Sequence, residues 1–515
     1  MKENEIIGTV DMSRSGHAYL KTEDESVELF INKSELSRVL NGDTIRVESI
    51  EDKEGNKTIV VKEIVSRAVD TFSGVISIKR GEKNYAFVKV SGNKTMVDIF
   101  VPIEKIGEAQ DGDAVVIKMT SWKKGEKCPR GSIVKTLGQA NTHGAEMGMI
   151  MNKHNIDYTF PQEVLDEAEL ISEVIFEKEI SKRKDMRDVL TIGIDPENSK
   201  DADDTIGYQV VNDEIEISVN ISDVTFYVKP GTELDKEALK RGTSIYFVDK
   251  VRPMFPERLS NNICSLKSGS DKLSFSSIFR FNQKGEIVHR WFGRTIINVN
   301  KDYSYEDAQM VIENGSTEEN KNTDEVVIEL NKIAEKLRKE RLKNSVLSIE
   351  SREVRFELDE NNKPVGIVFK ESKSSNKLIE EFMLLANAEV SKFIKSKKLP
   401  CINRVHEKPS EEKLESLKLF VKQFGYEIKT GSPEEIKSSL NKMLEESKST
   451  PEANIISTLV TRTQQKAYYT TLNLGHYGLD FKYYSHFTSP IRRMADVLTH
   501  RILAVAIGND GYNNR

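Results

Sequence analysis

The N-terminal part of the chain carries the same order of signals twice, and such a repeat constrains the architecture more than any single residue does. Residues 6–65 break into the short runs GTV, HAYLKT, VELFIN, DTIRVESI and TIVVKEIV, separated by Gly, Asn and Asp. Residues 72–137 repeat the pattern as FSGVISI, NYAFVKV, VDIFVP, DAVVIKM and GSIVKTL. Gly8, Phe30 and the Asn41-Gly42-Asp43 turn align with Gly74, Phe100 and Asp111-Gly112-Asp113. First glycine and turn glycine stand 34 residues apart in one copy and 38 in the other. This predicts two all-β, five-stranded barrels of the OB type, residues 1–67 and 68–140. In single-strand-binding barrels, aromatics on a sheet face stack bases while cations track phosphates. Tyr19 in the first copy and Tyr85 and Phe87 in the second are placed for such a face, with core packing the alternative for each.

The remaining length asks for more than the two barrels. A 515-residue chain exceeds one core, and three or four domains are expected. Pro161 opens a helix whose Val164, Leu165, Ala168, Ile171, Val174 and Ile175 form an apolar face, within a helical connector over 141–185. SKRKDMRD (181–188) then reads as a charged connector, either a solvated linker or a basic guide for a nucleic-acid backbone. The net charge of −6 argues against a uniformly basic nucleic-acid coat but leaves room for a locally basic groove. No stretch approaches 18 apolar residues and the N-terminus MKENEIIGTV has no apolar run, so neither a membrane span nor a signal peptide is expected. Cys128, Cys264 and Cys401 fit no metal or disulfide spacing and agree with a reducing, cytoplasmic setting.

Residues 191–205, TIGIDPENSKDADDT, carry the chemistry. Val189, Leu190, Ile192 and Ile194 read as a buried strand that Asp195-Pro196 stops. Asp195, Asp201, Asp203 and Asp204 follow within ten residues. Each like-charged pair at 4 Å repels by about 4 kcal/mol at an effective dielectric near 20. If they converge, shared protons, a ring of Lys and Arg, or one or two hard divalent cations must neutralise them; a solvated acidic turn is the alternative. An EF-hand is excluded, since a calcium loop begun at Asp203 puts Tyr208 where Gly is required.

Met186-Arg187-Asp188 followed by this stretch resembles the entry motif of the ribonuclease II and ribonuclease R catalytic domain, with all four Asp at the family's spacing. Ala202 replaces a frequent aromatic and Thr205 a usual Ala. RPMFPERLSNNICSLKSGSD (252–271), Ala386-Asn387, NRVHEKP (403–409) and HFTSPIRRMADVLTHR (486–501) also match, the last with Met494 for a common Tyr. The barrels resemble the cold-shock-like domains of ribonuclease R. The expected fold is therefore multidomain: two OB-fold barrels, then a mixed α/β RNB catalytic domain over 186–515.

The resemblance implies processive 3′→5′ hydrolysis of single-stranded or structured RNA to nucleoside 5′-monophosphates, with Mg²⁺ or Mn²⁺, two ions, as cofactor. It implies Asp195, Asp201, Asp203 and Asp204 as ligands or as orienters of ligand waters, and Arg492 on the scissile phosphate. Arg493 beside it is a substrate-binding candidate, and Tyr246 matches an aromatic that stacks on a base near the 3′ end. Ile349 stands where a stacking Phe is common. Glu380 matches a Glu near the terminal ribose, with Glu381 competing for that role. His406, His486 and His500 are expected to be structural. Partners would be single-stranded RNA 3′ ends, with the ribosome or RNA-decay machinery as candidates, and the chain a monomer. The family continues past the SPIRR helix into a further helix and a terminal OB-fold domain, so a C-terminally incomplete catalytic domain is expected. The competing expectation is RNA binding by the barrels without turnover.

Overall fold

The computed structural model describes residues 5–508, except 14–16, 23–27, 37, 52–56, 82–83, 92–96, 124, 344–352 and 361–362. It divides into two units, Met1–Thr159 and Phe160–Arg515.

The first unit holds the repeat. Strands β1 (Glu5–Met12), β2 (Ala18–Lys21), β3 (Glu28–Ile31), β4 (Thr44–Glu51) and β5 (Lys57–Ser66) pair in the order β3-β2-β1-β4-β5. The second copy, β6 (Thr71–Lys79), β7 (Tyr85–Val90), β8 (Ile99–Pro102), β9 (Asp113–Ser121) and β10 (Arg130–Gln139), has the same order and closes into a barrel where Arg130 of β10 pairs with Phe100 of β8. Among the described residues the first sheet has no such closing pair. The turn chemistry is the same in both. Gly42 and Gly112 have φ near +85°, which glycine adopts at little cost, and donate to Val10 O and Ile76 O. Asp43 accepts from Leu40 N–H and Asp113 from Gln110 N–H, each at 2.8 Å. Tyr19, Tyr85 and Phe87 lie outside the buried core. Tyr19 meets Phe30 edge-on at 5.7 Å; Phe87 meets Tyr85 and Phe100 edge-on, with the Arg130 guanidinium 5.5 Å over Phe100.

In the second unit, β11 (Lys184–Asp185), β12 (Leu190–Asp195), β13 (Asp204–Val211), β14 (Glu214–Ser222), β15 (Ile245–Tyr246), β16 (Val251–Arg252), β17 (Asp271–Phe281), β18 (Ile287–Asn298) and β19 (Lys301–Ser304) follow in turn. A seven-stranded mixed sheet runs β11-β18-β17-β14-β13-β12-β19, and β15 pairs with β16. Helices Tyr305–Asn314, Lys321–Lys343 and Ser374–Ser396 bury Val311, Val327, Leu330, Phe382, Ala386 and Val390 in the same core as Ile194, Ile206, Val219 and Phe275 of the sheet. Gly207 is required there, because a Cβ would lie 2.4 Å from Ser218 Oγ.

Two sequence readings need correction. The helix opened by Pro161 ends at Leu170; Val164 and Ala168 are buried, but Leu165 and Val174 are exposed. The Ile171 N–H is taken by Ala168 O as the chain turns extended, so the later apolar positions do not share a helix face. The 181–188 segment is no solvated linker. Arg183 is buried, paired with Asp223 at 2.8 Å and Glu179 at 2.8 Å, and Lys184–Asp185 joins the sheet beside β18.

Candidate active site

Strand β12 is buried on both faces, and its last residue, Asp195, emerges at the strand's C-terminal end. Because β13 runs antiparallel to it, Asp204 at the start of β13 rises at the same end of the sheet. Strand β19 runs parallel to β12 with Ser304 opposite Asp195, which brings Tyr305 to that end too. The connecting loop is not a free acidic turn. Ala202 is buried, its N–H donates to Ser265 Oγ at 3.0 Å and its carbonyl accepts from Leu266 N–H at 2.9 Å.

These carboxylates floor a cleft of about 450 Å³. Tyr246, Tyr305, Tyr484, His486, Thr488, Arg492 and Arg493 line it with Asp195, Asp201, Asp203 and Asp204. Glu380 and Asn387, seven residues apart on one face of helix Ser374–Ser396, line it too.

Each carboxylate has a different environment. Asp203 is buried; its Oδ1 takes the Ile491 N–H at 2.8 Å and its Oδ2 lies 3.5 Å from Arg492 Nε. Burial still holds its pKa well above the ordinary value, with Arg492 pulling the other way. Asp201 accepts from the Tyr246 hydroxyl at 3.1 Å. Asp204 is pushed up to about 7, first by burial and then by Asp195, against Arg492 and Arg493. Asp195 is pushed up to about 6, first by burial, with Asp201 and Asp302 adding and Lys267 opposing. The local cations thus leave the Asp195–Asp204 pair under-neutralised.

A hard divalent cation fits that deficit. Among the described residues no group of three or more His, Cys, Asp or Glu is close enough to hold an ion by itself. Mg²⁺ does not need one, since it keeps several waters and takes one or two carboxylates plus substrate phosphate oxygens. Asp201 and Asp203 already have protein partners, which leaves Asp195 and Asp204 as the carboxylates such an ion would take.

Arg492 belongs to the turn before helix Met494–Ala506. Its carbonyl accepts from Ser244 N–H and from Thr243 Oγ, and its side chain remains 44% exposed toward the cleft. Arg493 lines the same cleft, but its guanidinium is 2.9 Å from Asp496, whose Oδ1 also takes the Ser489 N–H at 2.8 Å. Glu381 is resolved from Glu380. It is buried and gripped by Arg341, with Arg338 3.7 Å away, so the cleft position belongs to Glu380. Tyr246 is half-exposed on β15. Tyr19 and Phe87 belong to the first unit and not to this cleft, and Ile349 lies outside the described residues.

His500 and His406 behave as structural groups. His500 Nε2 is 2.7 Å from Phe487 O, and His406 sits between Gln465 O and Gly478 N–H. His486 lines the cleft, with its Nδ1 2.6 Å from the Tyr469 hydroxyl. The sequence reading also missed Tyr305 and Asp496. Asp496 carried a local signal, three residues after Arg493 at a helix start; Tyr305 had none, because a parallel pairing across a hundred residues brings it in.

OB-type modules ahead of a mixed α/β domain with a carboxylate-floored, arginine-walled cleft define a class of RNA-processing proteins. Residues 183–509 match the RNB domain, 87–161 a cold shock domain and 8–64 the ribonuclease B OB domain. Ribonuclease R of Thermotoga maritima is 34% identical over 98% of this chain and 71% of its own length. The solved structure of Mycoplasma genitalium RNase R in complex with ribose-methylated single-stranded RNA superposes with a TM-score of 0.88 at 24% identity, covering 97% of this chain and 79% of that one. Yeast Ssd1, a pseudonuclease, shares the fold at a TM-score of 0.70 and 18% identity, over 99% of this chain and 70% of that one. The chain belongs to the RNB-domain family, among its ribonuclease R-like exoribonucleases.

Proposed function

We propose that this chain hydrolyses single-stranded RNA from the 3′ end and releases nucleoside 5′-monophosphates. The observation that carries the reading is the convergence of Asp195, Asp201, Asp203 and Asp204 with Arg492 in one cleft. Asp195 and Asp204 would hold the divalent cation, with Asp201 and Asp203 completing the acidic floor. Bound there, one or two such ions supply a water made nucleophilic at neutral pH and charge stabilisation for the departing 3′-oxygen.

The chain's own groups do the rest. Arg492 presents a planar guanidinium to the non-bridging oxygens on which charge builds, while Asp203 limits its swing. The half-exposed Tyr246 ring offers a stacking surface indifferent to base identity, with its hydroxyl pinned to Asp201. Glu380 lines the cleft and would accept from a ribose 2′-hydroxyl, which would favour RNA over DNA.

The test is trimming of a 5′-labelled single-stranded RNA by the purified chain in Mg²⁺. Stepwise shortening that stops with a chelator and in Asp204→Asn is expected. Binding without shortening in either Mg²⁺ or Mn²⁺ would instead establish an RNA-binding protein without turnover, the reading that the likeness to Ssd1 keeps open.

A further inference from the structure

We infer that His486 binds a phosphate of the RNA strand in the cleft, donating its Nε2–H to a non-bridging oxygen from an orientation set by Tyr469. This rests on the functional reading above.

The Tyr469 hydroxyl lies 2.6 Å from His486 Nδ1. Burial, and after it Asp496, holds the Tyr469 phenol protonated, so it has a proton to give. A phenol O–H donating to the imidazole nitrogen leaves the ring's single proton on Nε2. No hydrogen bond within the described residues uses Nε2, and His486 lines the cleft.

The ring is held on several sides. Tyr469 and Tyr484 meet it edge-on at 5.5 and 5.6 Å. Tyr469 is itself fixed in a short antiparallel pair, Asn403–Val405 with Tyr468–Thr470, where Arg404 is its cross-strand partner and the Arg404 guanidinium covers its ring at 4.8 Å. Burial, with Arg493, Arg404, His476 and Arg492 adding to it, depresses the imidazole pKa to about 2. The imidazole is therefore an uncharged, directional donor beside Arg492 and Arg493 in the same cleft, and the ligand that suits such a set is a phosphate.

Binding of a fluorescent single-stranded RNA to the Asp204→Asn chain isolates recognition from turnover. His486→Phe keeps the ring's bulk and loses the donor, and about tenfold weaker binding is expected. His486→Gln restores an N–H near Nε2 and should come within about threefold of the parent. Tyr469→Phe frees the tautomer and should fall between them; it carries the test if the Phe variant does not fold. The loss should persist on a strand whose 3′-terminal nucleotides are 2′-deoxy. Parent-like affinity of His486→Phe, equal damage from Gln and Phe, or a loss confined to 2′-hydroxyl strands would each overturn the assignment. A parent that binds no RNA at all would overturn the functional reading, and this one with it.

Discussion

Asp496→Ala should destabilise the second unit by removing the anchor of the turn that presents Arg492. One fully buried oxygen, Asp496 Oδ1, takes both the Ser489 N–H and the Arg493 guanidinium. Without it Arg493 keeps its charge in a mostly enclosed position and Ser489 loses its acceptor. Breaking one side of a buried pair costs about 3–5 kcal/mol. Burial already pushes the Asp496 pKa up against the pull of Arg493, so the carboxylate is incompletely compensated and the lower figure applies. A loss of about 3 kcal/mol is roughly 150-fold in the folding equilibrium. At a urea slope of about 3 kcal/mol per molar, the midpoint falls by about 1 M. The chain has two tryptophans, Trp122 and Trp291, one in each unit, so a Trp122→Phe background reports the second unit alone. The double variant Arg493→Met/Asp496→Leu buries neither charge and should recover most of the loss. An unshifted midpoint in Asp496→Ala, or a double variant as unstable as the single, would refute the reasoning.

Two further outcomes can be measured on the same chain. His500 is buried and its pKa is lowered to about 4, so the folded state binds fewer protons than the unfolded one between that value and 6.5. Stability from this group is full above pH 6.5 and is lost toward pH 4, by about 3 kcal/mol; His500→Gln, which keeps a donor for Phe487 O, should flatten that part of a urea-midpoint profile, and an unchanged profile would remove His500 as its source. In the second barrel, Phe87→Ala should weaken single-strand binding by about 1–3 kcal/mol for one lost stacking partner, with little change in Tm; unchanged affinity in anisotropy would show that the Tyr85–Phe87–Phe100 face stacks no base.

Much of this was legible from local chemistry. Gly42 and Gly112 mark turns because few other residues tolerate their φ, so the duplication could be read directly. The strand ending at Asp195 was readable because an apolar run meets a proline. The separation of Glu380 from Glu381 was not, since adjacent helical residues differ by 100° and only packing shows which meets Arg341. Arg183 misled for a related reason. In a run of charges it looked solvated, but its partner Asp223 lies forty residues on, and nothing near Arg183 announces that pairing. Asp203 and the Ile491 N–H are 288 positions apart, and that bond is a product of the fold alone.

The placement of Asp195 and Asp204 on neighbouring strands has a consequence for how such a chain varies. Their separation is a property of the β12–β13 ladder and not of the eight residues between them. Side chains of loop residues 196–200 can therefore vary without changing the distance between the two oxygen donors, while Ser265 Oγ and Lys267 Nζ hold the loop through Lys200 O and Ser199 O. Ala202 and Thr205 lie outside that span, both buried in the frame behind the acidic positions, where size is constrained and a charge would be costly. The backbone acts as a ruler, and the loop only carries the chain from one mark to the next.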